Sequence, residues 1–223
     1  MKDVLGQILP FAVAVCVSPV QIIAVILLLF SKRPIPNASA LVVGFIVGLA
    51  AVLGLLVALA SAQDLTTGSD GSSGVAWGRI VLGVLLLVAA VRRFRSRPGP
   101  DDEPAMPSWM EGIQSFSVAR SAGMGVLLGA VTPKMIAMAL AAAAAIAGGG
   151  LTGEQDLIAV ACYTVIASIG VAAPLVVALA MGDRAQPVLD GWKDWLAHNN
   201  TAVMAVLFLV FGAVLVGQGL QTL

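Results

Sequence analysis

The sequence predicts an all-α integral membrane protein with six transmembrane helices, arranged as two inverted three-helix repeats in which helices 1 and 4 are broken. Composition is the first observation behind this fold class. Hydrophobic residues make up 59% of the 223 residues, charged residues make up 11%, and the mean hydropathy is +1.00. In soluble domains about a quarter of the residues are charged. The other observations are six long apolar stretches and a proline motif that occurs in two of them.

Each of the six apolar windows has close to, or more than, the roughly 20 residues that a helix needs to cross a hydrocarbon core of about 30 Å. They are residues 4–30, 38–62, 75–91, 121–147, 157–181 and 202–220. Lipid offers the backbone no hydrogen-bond partners, so we expect all six to be helical. The first window is too long for a cleaved signal peptide, and we expect it to be retained.

The charge of the connections between the windows predicts their orientation. Nine lysines and arginines lie in the first, third and fifth connections, and only Lys2 and Arg79 lie on the other side. The positive-inside rule then makes the odd connections cytoplasmic. We therefore expect a multi-pass protein of the cytoplasmic membrane with both termini outside. The net charge of zero indicates no nucleic-acid partner.

Three windows, a polar linker and three more windows indicate a duplication. The predicted division is residues 1–91, a cytoplasmic linker at 92–118 with four prolines, and residues 119–223. A repeat with an odd number of spans enters the membrane upside down the second time, as in many transporters.

Two stretches beside the membrane have aromatic faces. Residues 107–117 place Trp109, Ile113 and Phe116 on one helical face, and we expect an interfacial helix there. Residues 187–198 likewise place Val188, Trp192 and Trp195 on one helical face. Recognition of a partner protein is the alternative for both stretches.

A hydroxyl residue followed by proline interrupts windows one and four, at Ser18-Pro19 and Thr132-Pro133. Proline cannot donate to the carbonyl one turn back, but it suits the first position of a new helix, with the hydroxyl residue as N-cap. We therefore predict that both helices restart at mid-membrane, each with a partial positive charge at its new N-terminus. In an inverted repeat these two ends meet in one central cavity. The alternative is that both prolines only kink their helices.

Lys134 follows the second proline and indicates the charge of the ligand. A lysine at the centre of a span costs about 2.5–3.5 kcal/mol on the insertion scale. All twelve acidic residues lie outside the central parts of the windows, so no carboxylate is expected beside it. Beside two helix N-termini, the ammonium predicts an anionic ligand such as a phosphate, sulfate or carboxylate head group. A neutral lysine, or one that extends towards water, is the alternative.

Three weaker candidates complete the predicted substrate site. Gln21 is placed to supply a donor in the first half, with helix–helix contact as the alternative. Thr164 and Ser168 lie one turn apart on the fifth window, where packing is the alternative. The full set is Ser18, Pro19, Gln21, Thr132, Pro133, Lys134, Thr164 and Ser168. No catalytic residue, metal site or cofactor is predicted, and we expect no enzymatic activity.

These motifs resemble the LysE superfamily of exporters and, more closely, the GAP family of glycolipid- and sulfolipid-addressing membrane proteins. The similarity is carried by SPVQIIAVILLL, WGRIVLGVLLLVAAVRRFRSRP, PSWMEGIQSF, VTPKMIAMALAAAAAIA, IASIGVAAPLVV, MGDRA and LAHNNTAVMAVLFLVFGAVLVGQGL. The family typically has Asn-Pro-Lys-Asn at the fourth-span break, where this chain has Thr132 to Met135.

The resemblance implies export of a complex glycolipid or lipid intermediate, alongside an envelope synthesis and export machinery. The sequence does not decide whether the protein forms a homodimer. The main alternative is a LysE-like exporter of a small solute such as an amino acid or ion. Two further functions stay open: a membrane electron carrier that uses Cys16 and Cys162, and a scaffold for envelope enzymes.

Overall fold

The computed structural model describes residues 1–66, 72–95, 110 and 112–221, which contain helices and no strand. Side chains are described for these residues except 62–66, 72–76, 79, 82, 218 and 221. The helices are α1 (Lys2–Cys16), α2 (Pro19–Leu29), α3 (Pro34–Thr66), α4 (Ser72–Arg95), α5 (Val118–Ala130), α6 (Pro133–Ala147), α7 (Gly153–Met181) and α8 (Ala185–Gln221). Short 3-10 turns lie at Ile113–Ser115 and Gly182–Arg184.

Both predicted breaks are present. The axes of α1 and α2 differ by 47° across the break before Pro19, and those of α5 and α6 by 55° across the break before Pro133. Each proline is the first residue of its new helix, where its missing N–H disrupts no bond within that helix. The two breaks therefore lie where the sequence predicts them.

The apolar helices are compatible with insertion into a membrane. Two segments are long and apolar enough to cross it, Pro34–Ser61 and Gly153–Gly217, and counting each bent pair as one span gives up to four among the described residues. The second segment has 65 residues and contains both α7 and α8. The predicted total of six spans and their orientation stay predictions.

Glycines bring the backbones of α3 and α5 into direct contact. The four glycines of this contact are Gly44, Gly48, Gly125 and Gly129. A Cβ atom on Gly48 would lie 2.6 Å from the carbonyl oxygen of Val126, and one on Gly129 would lie 2.5 Å from that of Phe45. Because the neighbouring atoms belong to the backbone, no side-chain rotation can make room for a Cβ atom. Only glycine fits these positions.

A reciprocal glycine contact joins α4 to α8. A Cβ atom on Gly83 would lie 2.8 Å from the carbonyl oxygen of Gly212, and a Cβ atom on Gly212 would lie 2.8 Å from that of Gly83. Further along, Ala90 and Ala205 line one groove between the same helices. The two helices are therefore antiparallel. The contacts of α3 with α5 and of α4 with α8 are the most extensive between helices, so the predicted halves form one packed unit.

Two contacts define how α8 lies along α1 and α2. The rings of Phe11 and Phe211 have centroids 6.3 Å apart, and the Nζ atom of Lys193 lies 5.9 Å from the centroid of the Phe30 ring. α8 therefore runs antiparallel to α1 and α2. By interpolation, Met204 is level with the break between α1 and α2.

The end of the predicted linker is anchored to α3. Asn37 is buried, and its amide nitrogen donates to the Ser31 hydroxyl at 3.1 Å and to the Phe116 carbonyl at 3.0 Å. Ile113, which the sequence places on a membrane-facing surface, is fully buried in the core. The expectation for Ile113 was wrong because this segment packs inward. Trp109 lies outside the described residues.

The second aromatic stretch is part of α8. Trp192 and Trp195 are exposed, whereas Leu189 and Leu196 are buried. Residues 187–198 are thus amphipathic, as predicted, but they continue into the following helix without a break.

Replacing Asn37 with alanine should lower the free energy of unfolding by about 1–3 kcal/mol, since it removes two hydrogen bonds from a buried position. Asn199 is a suitable control, because its amide donates only to the Trp195 carbonyl of its own helix at 2.9 Å. Asn199→Ala should change the free energy of unfolding by no more than about 0.5 kcal/mol. Denaturation in detergent would measure both, and equal losses would contradict the assigned role of Asn37.

Candidate functional site

The Ser18 hydroxyl closes the end of α1. Ser18 occupies the N-cap position of α2, yet its Oγ atom donates back to the Val15 carbonyl at 2.6 Å. That carbonyl is the one that the missing N–H of Pro19 would otherwise have served. The first turn of α2 therefore has no side-chain cap, contrary to the prediction.

The hydroxyl at the second break also donates backward, although not to the carbonyl that Pro133 leaves without a donor. The Thr132 hydroxyl donates back to the Leu128 carbonyl at 2.9 Å, and the first turn of α6 likewise has no side-chain cap. Regular backbone bonding resumes at Ile136, whose N–H donates to the Thr132 carbonyl at 3.1 Å. Each restarted helix thus begins with first-turn N–H groups that no side chain caps.

Lys134 connects the two breaks. Its Nζ atom donates to the Ser18 hydroxyl at 3.0 Å and to the Val17 carbonyl at 3.2 Å. The Val17 carbonyl is at the negative end of the α1 dipole, so the contact is favourable for an ammonium. The Nζ atom is thus hydrogen-bonded to two neutral groups, and no carboxylate of the described residues is paired with it.

Both restarted helices border one cavity of about 490 Å³. Its polar lining residues are Gln21, Arg93, Thr132, Lys134 and Asn200. Its apolar lining residues are Val20, Leu127, Leu128, Val131, Pro133, Met204 and Phe208. The first turns of α2 and α6 meet there with two basic side chains, among walls that are mainly apolar. Such a cavity suits a ligand with an anionic group and an apolar body.

Of the eight predicted site residues, four line this cavity: Gln21, Thr132, Pro133 and Lys134. Ser18 and Pro19 are buried at the break, where Ser18 contacts Lys134. Thr164 and Ser168 do not line it. Their hydroxyls donate to carbonyls of their own helix, at 2.8 Å and 2.7 Å, as expected for the packing alternative.

Sequence reasoning missed two residues that line the cavity. Arg93 was counted with the third connection, which is predicted to be cytoplasmic, and Asn200 lies just before the last apolar window. The missed signal is the spacing of Asn200, Met204 and Phe208, which puts a polar residue at the end of a stripe on one helix face. The middle of α8 thus extends the site.

Another cavity, of about 570 Å³, lies where α2 connects to α3 and α7 connects to α8. Ser31 and Asp183 are among the residues that line it, but none of the eight predicted site residues does. We therefore take the cavity beside Lys134 as the candidate site.

The described residues contain no group of three or more His, Cys, Asp or Glu side chains placed to hold a metal ion. Cys16 and Cys162 are free, half-buried thiols on α1 and α7. The electron-carrier function stays a prediction that the structure does not test.

Comparison with known protein families gives one match. The model of a family described as Sap, sulfolipid-1-addressing protein, matches residues 8–221. No curated protein and no solved structure matches the chain. The match covers both breaks, the cavity and the linker.

Proposed function

We propose, from the premise that the chain belongs to the sulfolipid-1-addressing protein family, that it moves an anionic glycolipid or lipid intermediate across the cytoplasmic membrane. The head group binds in the cavity beside Lys134, and the acyl chains stay in the bilayer. The observation that carries this proposal is the meeting of two uncapped helix N-termini with the Lys134 ammonium in a mainly apolar cavity.

The energies involved favour an anion at this position. A charge-assisted hydrogen bond contributes about 1.5–3 kcal/mol. A helix N-terminus adds about 0.3–1 kcal/mol, and more in partly buried geometry. Together these terms are similar in size to the insertion cost of about 2.5–3.5 kcal/mol for a lysine at mid-membrane. A neutral ligand can accept from the ammonium but lacks the attraction between opposite charges, so anionic lipids bind more strongly than neutral ones.

The mainly apolar walls favour a lipid over the small solutes of the alternative prediction. An inorganic ion gains nothing from side chains such as Leu127, Val131 and Phe208, and an amino acid has at most one side chain to place against them. A lipid buries its glycerol region and the start of its chains against them.

We further propose that the two halves form an inverted repeat. In each half a broken helix pair is followed by a long helix and a further helix. The reciprocal contact of Gly83 with Gly212 is what a two-fold axis between the halves would produce. The close contact of Gly170 on α7 with the Cys16 carbonyl on α1 would then correspond to the glycine contacts between α3 and α5.

Lys134 gives this arrangement a mechanism. In the structure its ammonium holds α6 to the end of α1 through Val17 and Ser18. An anionic head group competes for the same ammonium, and its binding releases that connection. Ligand binding thereby permits a change in the packing of the two breaks, as alternating access requires.

A lipid-translocation assay tests the proposal. The protein is reconstituted in phosphatidylcholine liposomes that contain a fluorescent sulfated glycolipid or its unsulfated counterpart, and dithionite quenching follows exposure of the label. We expect the sulfated lipid to cross at least about tenfold faster than the unsulfated one, from a difference of about 1.4 kcal/mol. Equal rates for the two lipids, or rates equal to those of empty liposomes, would contradict it. Efflux of amino acids from the same liposomes would favour the small-solute alternative.

A further inference from the structure

A groove of about 360 Å³ lies between α4 and α8. Two small, buried residues, Ala90 and Ala205, form its floor. Arg95, the last residue of α4, lines the same groove. Its sides are large apolar residues that are half-exposed: Val91, Phe94, Val206 and Leu209. The groove thus has apolar walls and a cation at the end of α4.

We propose that an anionic phospholipid of the surrounding leaflet binds in this groove as a structural lipid, with its phosphate on Arg95 and an acyl chain between α4 and α8. This lipid is distinct from the transported ligand of the proposed function. It binds to the outer side of the two helices and is not translocated.

The groove and the cavity beside Lys134 lie on different faces of the same two helices. Arg93 lines the cavity and Arg95 lines the groove, and positions two residues apart are about 200° apart around a helix. No residue lines both. The lipid in the groove therefore does not occupy the site of the transported ligand.

Arg95 lies where the surface changes from apolar to polar. It is four residues, about 6 Å, beyond the end of the apolar window at 75–91. The contact of Gly83 with Gly212 in the antiparallel pair places Arg95 level with residue 200 of α8, just outside the apolar window at 202–220. The change in polarity thus occurs at the same level on both helices. A phospholipid whose chain lies in the groove has its phosphate at this level.

The charge of Arg95 decides which phospholipids bind most strongly. An acyl chain in the groove exchanges one apolar environment for another, so the walls do not distinguish between head groups. The guanidinium presents a planar fork of donors that matches a phosphate group, and basic pockets between membrane helices bind anionic lipids in this way. In the part of the chain that the structure describes, no acidic side chain forms an ion pair with Arg95. Phosphatidylcholine has the same phosphate but a cation beside it, so its attraction to Arg95 is weaker.

A lipid in this groove would stabilise the position of α4. The principal neighbour of α4 is α8, and their backbones touch at Gly83 and Gly212. Nearer to Arg95, the small side chains of Ala90 and Ala205 leave space between the exposed apolar residues. An acyl chain that fills this space adds contacts to both helices.

Native mass spectrometry of lipid retention tests the proposal. The Lys134→Met variant, which lacks the ammonium of the substrate cavity, is purified in detergent with equal amounts of phosphatidylglycerol and phosphatidylcholine. We expect it to retain one phosphatidylglycerol molecule, in about tenfold preference over phosphatidylcholine, a difference of about 1.4 kcal/mol. Combining Lys134→Met with Arg95→Gln should reduce the preference to about one. Combining it with Arg184→Gln, at another exposed arginine that does not line the groove, should leave the preference unchanged.

Thermal unfolding gives a second measurement with Lys134 in place. Phosphatidylglycerol at ten times its dissociation constant should raise the melting temperature of the wild type by about 3–6 °C more than phosphatidylcholine does. This difference should disappear in Arg95→Gln and persist in Arg184→Gln. Glycerol 3-phosphate has the phosphate but no acyl chain, and it should not displace the retained lipid.

Three results would overturn the proposal. The first is an unchanged preference for phosphatidylglycerol in the Arg95→Gln variants. The second is displacement of the lipid by glycerol 3-phosphate, which would indicate a site for free phosphate. The third is a dimer in the native mass spectrum that Arg95→Gln dissociates, which would assign the groove to a second copy of the chain. None of these results depends on the translocation assay, so the proposed function is tested separately.

Discussion

The Lys134→Met variant should lose lipid translocation while it keeps its fold. Methionine is close to lysine in length and is apolar, so it removes the ammonium and largely preserves the volume. The loss of a charge-assisted contact of about 1.5–3 kcal/mol lowers the translocation rate of the anionic lipid by about tenfold to a hundredfold. The rate of the unsulfated lipid should not change. The liposome assay measures both rates.

The thermal stability of Lys134→Met should change little, in contrast to its translocation rate. Removal of a lysine from mid-membrane recovers about 2.5–3.5 kcal/mol, while the Val17 carbonyl loses its donor at a cost of about 1–3 kcal/mol. These terms nearly cancel, and the midpoint of thermal unfolding should shift by no more than about 4 °C. Lys32→Met, at an exposed position, is the matched control and should retain full translocation. Unimpaired translocation by the Lys134 variant would remove Lys134 from the site.

Gly125→Ala should produce the largest loss of stability. A Cβ atom on Gly125 would meet the carbonyl group of Leu41 and the backbone nitrogen of Phe45. These are backbone atoms of α3, so one of the two helices must move. Overpacking of this kind costs typically 1–3 kcal/mol, and we expect the upper end, with unfolding about 6–12 °C lower in a thermal melt.

Gly123 on the same helix provides the control for this clash. A Cβ atom there has nothing within 4 Å. Gly123→Ala should leave the melting temperature unchanged or raise it slightly, because alanine is the better helix former by up to about 1 kcal/mol. A large loss in Gly123→Ala, or none in Gly125→Ala, would show that the contact of α3 with α5 does not govern stability.

The helix breaks could be predicted from sequence because their cause is local. Ser-Pro and Thr-Pro disrupt hydrogen bonding within one turn, wherever the rest of the chain lies. The direction in which the Ser18 and Thr132 hydroxyls bond could not be predicted. The same oxygen can accept from an N–H group of the following helix or donate to a carbonyl of the preceding helix. Which of the two occurs depends on which backbone group needs a partner. Ser18 bonds backward because Pro19 leaves the Val15 carbonyl without a donor.

The remainder of the site depends on contacts between helices that are far apart in sequence. Lys134 meets Val17 across more than a hundred residues, and Arg93 and Asn200 reach the cavity through the register of α4 against α8. The hydrophobic periodicity of a single helix carries no information about these contacts between helices. Ile113 was misassigned for a related reason, since an apolar residue beside a membrane suits both lipid and a buried contact.

The glycine contact of α3 with α5 has a mechanical consequence. Two helices whose backbones touch at four glycines cannot slide without carrying one carbonyl group over another, so α3 and α5 move as a rigid frame. α6 faces its neighbours with alanines along most of its length and has no such obstruction. Any movement between α5 and α6 would then occur at Val131 and Thr132, which would make the second break a hinge as well as a wall of the cavity.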